Sequence, residues 1–178
     1  MGTTVKAVCL VAHPDDCVIF GYSYIHCHPE MKWHICYLTY CEWEPRAREL
    51  KDFWARRGVP CIFLGYTDDY RDIENKKISF NEEQARREIG NIIKTYDLVL
   101  THNDEGDYGH LHHVFVYDCA KHHPRLVTFA KPSEGTVTYT VPKTAYSLDE
   151  LPMHREIIAG FHSTEHRSEE HTSELQSH

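Results

Sequence analysis

Strand-length apolar runs alternate along the chain with longer segments whose apolar residues recur at helical spacing. Residues 5–12 are apolar almost throughout, as a central strand buried on both faces must be. Residues 17–27 read as a helix with Asp15 or Asp16 near its N-terminus, where a carboxylate is favoured. Residues 33–40 alternate and are rich enough in β-branched and aromatic side chains for a second strand. Residues 45–57 form a second helix: Pro45 at its first position, Leu50, Phe53 and Trp54 on one face, and Gly58 as a stop. The pattern then predicts a strand at 60–64, a helix at 81–95 capped by Asn81 or Ser79, a strand at 97–101 and a helix at 110–121. Later strands follow at 126–129 and 136–141. Strand–helix alternation of this kind predicts an α/β fold: a Rossmann-like, doubly wound, mostly parallel sheet with helices on both faces and right-handed crossovers.

Two polar segments break the pattern, Ala12-His13-Pro14-Asp15-Asp16 and Tyr108-Gly109-His110-Leu111-His112-His113. Each follows a predicted strand, the second after a short polar loop. Loops at the carboxyl ends of parallel strands converge on one crevice, so these distant segments are expected to build one site. One His, two Asp and two further His make the donor set of a hydrolytic zinc centre, in which two His and one carboxylate hold the ion and a position stays open for water. A neighbouring carboxylate outside the ligand set is placed to accept a proton. His110 and His113, three apart at a helix start, project from roughly one face, so one can ligate while the other reaches substrate. Taken alone, His13-Pro14-Asp15-Asp16 also reads as a helix-capping turn with solvated carboxylates; the second segment weighs for a site.

Bulk properties narrow the partners. The length suits one domain with a single core, taken as residues 1–166. Net charge is −8 without a basic run, a poor match to nucleic acid or an anionic membrane surface. No apolar stretch is long enough for a bilayer, and the N-terminus lacks the pattern of a signal peptide. The 7 Cys stand singly without CxxC spacing, which reads as reduced thiols in a cytoplasmic protein. A small-molecule partner is therefore expected, with no nucleic acid and no membrane span; an oligomer is left open. Residues 167–178 read as the translation of a short-read sequencing adapter and are set aside as a non-native tail. Without that tail's one Arg and three Glu the net charge is −6, and the native chain is expected to continue differently after about His166.

Together the two segments resemble the PIG-L/LmbE family of zinc-dependent N-deacetylases. The likeness extends to Arg46-x-x-Glu49, to Phe63-Leu64-Gly65-Tyr66-Thr67-Asp68 and, more loosely, to Leu151-Pro152-x-His154. The resemblance implies one Zn²⁺ per chain on His13, Asp16 and His113, with Asp15 as general base. It implies that His110 stabilises the oxyanion or protonates the leaving amine, and that Tyr108 polarises the amide carbonyl. Arg46 and Asp68 become candidate substrate contacts. The implied reaction removes an acetyl group from an N-acetylated amino sugar of the N-acetylglucosamine type. The family spans lipid-linked, thiol-precursor, antibiotic and free-sugar substrates, so the sugar's conjugate stays open.

Plainer readings stand beside these. Tyr108 also reads as a loop aromatic, Arg46 with Glu49 as a solvated ion pair, and Asp68 as the start of a turn. His26-Cys27-His28 with His34, Cys36 and Cys41 reads as packing and surface residues, because strand alternation sends neighbours to opposite faces. His122-His123 reads as a helix end favouring the negative pole of the dipole. The family's acid after the two Asp is Cys17 here, and its Pro-Asp between the two His is Leu111-His112; the replaced acids are of the kind that orient ligands. Two alternatives follow: a metal-binding relative of weak catalysis that acts by binding, and an Mg²⁺ site for phosphoryl transfer. Three nearby His and the lack of a Gly-rich phosphate loop speak against the latter.

Overall fold

The computed structural model describes residues 3–72, 77–129, 137–142, 146–164 and 170–177. Its elements are β1 (Lys6–Val11), α1 (Tyr22–Cys27), β2 (Lys32–Thr39), α2 (Pro45–Ala55), β3 (Cys61–Tyr66), β4 (Tyr70–Asp72), β5 (Lys77–Ile78) and α3 (Glu82–Ile93). There follow β6 (Leu98–Thr101), a four-residue turn α4 (Gly106–Gly109), α5 (Leu111–Ala120), β7 (Leu126–Phe129), β8 (Val137–Pro142), α6 (Arg155–Thr164) and β9 (Glu170–Ser177). The sheet runs β3-β2-β1-β6-β7-β9-β8, its first five strands parallel and its last two antiparallel.

The apolar run of β1 puts it at the centre, and alternation splits its side chains between two cores. Ala7, Cys9 and Val11 meet Leu50, Phe53 and Trp54 of α2 and Ile158 of α6 on one face. Val8 and Leu10 meet Ala85 and Ile89 of α3 and Phe115 and Val116 of α5 on the other. Helices therefore cover both faces, as the strand–helix alternation predicts. Asn81 Oδ1 accepts from Gln84 N at 3.0 Å, which settles the cap of α3.

Three departures from the sequence expectations matter. The helix expected at 17–27 opens as a π-helical turn, Cys17–Gly21, and neither Asp caps it; the Asp16 side chain turns back to accept from His13 N at 2.8 Å. The wide turn sets Gly21 against β1, where a Cβ would lie 3.2 Å from Cys9 Sγ. The β4–β5 hairpin and α6 were not expected from the pattern. Residues 170–177, set aside as a tail, form β9 between β7 and β8: beyond β7 the parallel sheet ends in a row of unpaired backbone groups, which an extended segment can satisfy. No described helix is long and apolar enough to cross a membrane.

Candidate active site

The carboxyl ends of β1 and β6 bring the two polar segments together. His13 Nδ1, Asp16 Oδ2 and His113 Nε2 form a triangle whose three sides are each 3.2 Å. Tetrahedral zinc with bonds of about 2.0–2.1 Å spaces its N and O ligands by about 3.3 Å, so the donor set fits that ion. Asp16 lies buried between two imidazoles. Burial opposes its charge, yet His113 and His13 hold its carboxyl well below the ordinary range. Burial likewise works against both imidazolium ions, but chiefly Asp16 raises His13 to about 10 and His113 to about 9. A pocket that favours positive charge on two buried rings is one in which a cation can replace their protons.

His113 and His13 are each held from behind by a carboxylate. His113 Nδ1 donates to Asp107 Oδ2 at 2.8 Å, which turns the lone pair of Nε2 toward Asp16. His13 Nε2 lies 2.9 Å from Asp68 Oδ1, which leaves Nδ1 to face the triangle. Such pairs fix tautomer and ring orientation. Asp107 stands at φ 62, and Asn103 Oδ1 ties the turn by accepting from Asp107 N at 2.9 Å. His102 completes the support: Nδ1 donates to Asp107, Nε2 accepts from Ala12 N at 3.0 Å, and its ring stacks on His113.

Sequence reasoning singled out neither Asp107 nor His102. The available signal was position alone: both follow a central strand at its carboxyl end. The orienting role assigned to the replaced acids thus falls to Asp107 and Asp68. Cys17 points into the core, where Trp54 Nε1 donates to its sulfur at 3.0 Å and burial pushes its thiol well above the usual range.

Asp15 is buried beside the triangle, and burial followed by the charge of Asp16 raises its carboxyl. Arg46 NH2 reaches Asp15 Oδ1 at 3.5 Å, and Arg46 NH1 donates to Tyr40 Oη at 2.7 Å. Tyr40 Oη in turn donates to Asp68 Oδ2 at 3.0 Å. The plainer reading of Arg46 and Glu49 as a solvated ion pair does not hold among the described contacts; the two are linked through a third residue. His154 Nδ1 donates to Glu49 at 3.0 Å, while His154 Nε2 accepts from Arg46 Nε at 3.3 Å. Asp68, a candidate for a sugar hydroxyl, has both carboxylate oxygens engaged within the protein, by His13 and by Tyr40.

His110 caps α5, with Nδ1 accepting from His112 N at 3.2 Å. Burial, then the neighbouring His13, His113 and His112, lower it to about 3. Tyr108 is 56% exposed and lies edge-on to His110 and His113 at the mouth of the site. Tyr40, Glu44, Gly65, Tyr66, Thr67 and Asp68 line an adjoining cavity of about 340 Å³, a size suited to a small ligand. A larger cavity of about 960 Å³ includes Lys32 and Pro60 at the amino ends of β2 and β3, away from the chemistry. Among the described residues, none of His26, Cys27, His28, His34, Cys36 and Cys41 falls in a group spaced to hold a metal.

A family model described as PIG-L, GlcNAc-PI de-N-acetylase, matches residues 8–123, a span that holds the whole donor triangle. The chain belongs to the PIG-L family. Beside this PIG-L match, a curated relative, uncharacterized protein L374 of Acanthamoeba polyphaga mimivirus, is 28% identical over 152 residues, covering 74% of this chain. The chain spans 64% of that relative's length.

Among solved structures, the 4-carboxy-2-hydroxymuconate hydratase of Pseudomonas putida KT2440 superposes with a TM-score of 0.61 at 12% identity, over 98% of this chain and 96% of that one. A deacetylase of teicoplanin biosynthesis, in complex with teicoplanin, has a TM-score of 0.59 at 9% identity, over 97% of each chain. Teicoplanin deacetylase is also known in a zinc-inhibited form. The N,N'-diacetylchitobiose deacetylase of Pyrococcus horikoshii has a TM-score of 0.55 at 16% identity, over 92% of this chain and 71% of that one. Identities this low show the shared α/β fold alone. With a hydratase and deacetylases on one fold, the reaction must be argued from the site.

Proposed function

We propose that the chain is a zinc-dependent hydrolase that removes the acetyl group from an N-acetylated amino sugar of the N-acetylglucosamine type. The observation that carries this reading is the 3.2 Å triangle of His13, Asp16 and His113 beside a buried non-ligand carboxylate, Asp15, in a PIG-L chain. One zinc ion per chain is assigned to that triangle. When bound, it supplies a water of lowered pKa and a Lewis acid for the amide carbonyl.

The protein's own groups move the protons. Asp15, its basicity raised by burial and by Asp16, takes a proton from the attacking water. The leaving nitrogen gains that proton as the C–N bond breaks, giving acetate and a free amine. His110 is neutral at pH 7; with Nδ1 accepting from His112 N, its ring proton sits on Nε2 and is donated to the developing oxyanion. This supports oxyanion stabilisation as the role of His110 over protonation of the amine. Tyr108 polarises the carbonyl from the mouth of the site. Arg46 orients Asp15 and faces the substrate side, and Asp68 fixes the ring of His13 at the edge of the sugar cavity.

Zinc content and acetate release, measured together with a panel of N-acetylglucosamine conjugates on wild type and Asp15→Ala, test the reading. Zinc in both proteins and acetate from wild type alone is the expected result. Protein without zinc overturns it. The replacements at Cys17 and His112 favour a second reading, a metal-binding relative that acts by binding; zinc-loaded wild type that releases no acetate is its mark.

A further inference from the structure

A second donor triangle faces away from the first. His13 Nε2 lies 2.9 Å from Asp68 Oδ1 and 3.1 Å from His112 Nδ1, and His112 Nδ1 lies 3.6 Å from Asp68 Oδ1. His13 belongs to both triangles, giving Nδ1 to one and Nε2 to the other. We propose that the chain binds a second divalent metal ion through His13 Nε2, His112 Nδ1 and Asp68 Oδ1, and that the His13 ring bridges the two ions. This goes beyond the proposed function and rests on it for the first ion.

The three donor atoms lie within 3.6 Å of one another, close enough for a single ion to reach all of them. A cation answers all three donors at once. Two imidazole nitrogens and one carboxylate oxygen suit zinc and similar borderline ions over Mg²⁺ or Ca²⁺.

The donors are also pre-placed. His112 is fully buried on α5, and Asp68 Oδ1 is kept on target because Oδ2 accepts from Tyr40, itself held by Arg46. The Asp68 side chain is half-buried and borders the 340 Å³ cavity, which gives an ion a route from solvent.

Zn²⁺ is the probe, with the full chain dialysed to equilibrium against it and its metal content measured. Wild type is expected to hold two tightly bound ions per chain, and His112→Ala and Asp68→Asn one each, with unchanged far-UV circular dichroism. Asp68→Asn, on a loop, keeps the test open where His112→Ala does not fold. Copper(II) reads the bridge: two ions on one imidazolate couple, so the resonance signal per copper falls as the second equivalent binds. One ion in wild type, lost in Asp16→Asn and kept in His112→Ala, overturns the second site and leaves the proposed function standing. One ion lost in His112→Ala and kept in Asp16→Asn overturns both. Two ions retained in His112→Ala and Asp68→Asn also overturn the inference.

Discussion

Asp107 accepts from His113 Nδ1 at 2.8 Å from a backbone at φ 62, a left-handed conformation that a non-glycine residue seldom adopts. The turn is strained so that one carboxylate can serve both His113 and His102. Asp107→Asn is expected to weaken zinc affinity by about 10–100-fold, as loss of such an orienting partner does elsewhere. Competition with a chromophoric chelator measures it; unchanged affinity would show that Asp107 does not orient the ligand.

Gly106 opens the same turn at φ 67, where an added Cβ would stand 2.8 Å from Val114 Cγ2. Gly106→Ala therefore meets both backbone strain and a clash. We expect a loss of about 1–3 kcal/mol in urea unfolding, together with weaker zinc binding as Asp107 shifts.

Asp15→Asn removes the proposed proton acceptor while sparing the donor triangle. Turnover is expected to drop by about 10²–10⁴-fold at unchanged zinc content, compared in one preparation by acetate assay and elemental analysis. Zinc lost along with activity would place Asp15 among the ligands instead.

Glu49 accepts from Met153 N at 2.8 Å, from His154 N at 3.2 Å and from the His154 ring at 3.0 Å, which ties α2 to the start of α6. Glu49→Ala strips those donors of their acceptor. A cost of about 1–3 kcal/mol is expected, read as a fall of several degrees in Tm.

Glu150 receives two bonds from Arg57, at 3.1 and 2.9 Å, and one from Arg56 at 3.2 Å; chiefly Arg57 holds its carboxyl down to about 2. A carboxyl with its folded pKa below the unfolded value stabilises fully above about pH 4.3 and loses that contribution as pH falls toward 2. The pair is partly exposed, so the effect is about 1 kcal/mol or less. Glu150→Gln should flatten stability across that acid range; an unchanged slope between wild type and variant would refute the linkage.

Much of this molecule was legible in one dimension. β1 and β6 were readable as short apolar runs of the kind a strand buried on both faces must have, and β2 by its alternation and its β-branched and aromatic side chains. The two polar segments that hold His13, Asp16 and His113 were readable because they follow strands at their carboxyl ends; the choice of these three residues came from the family resemblance. The helix at 17–27 was only half right: local propensity does not reveal that Gly21 must approach Cys9, and that approach widens the first turn. Nor did the pattern signal α6, whose place depends on Glu49 and the α2 face it covers.

What the sequence determined by itself is the alternation that selects a parallel sheet and the donor types at its carboxyl edge. Both follow from the side chains' hydrophobicity and chemistry, which local order displays. Only the tertiary structure decided which nitrogen of each ring faces which carboxylate. It linked Arg46 to Glu49 through His154, and it set Asp107, Asp68 and His112 around the donor triangle. Those relations depend on ångström distances between residues far apart in the chain, and spacing along one chain does not encode them.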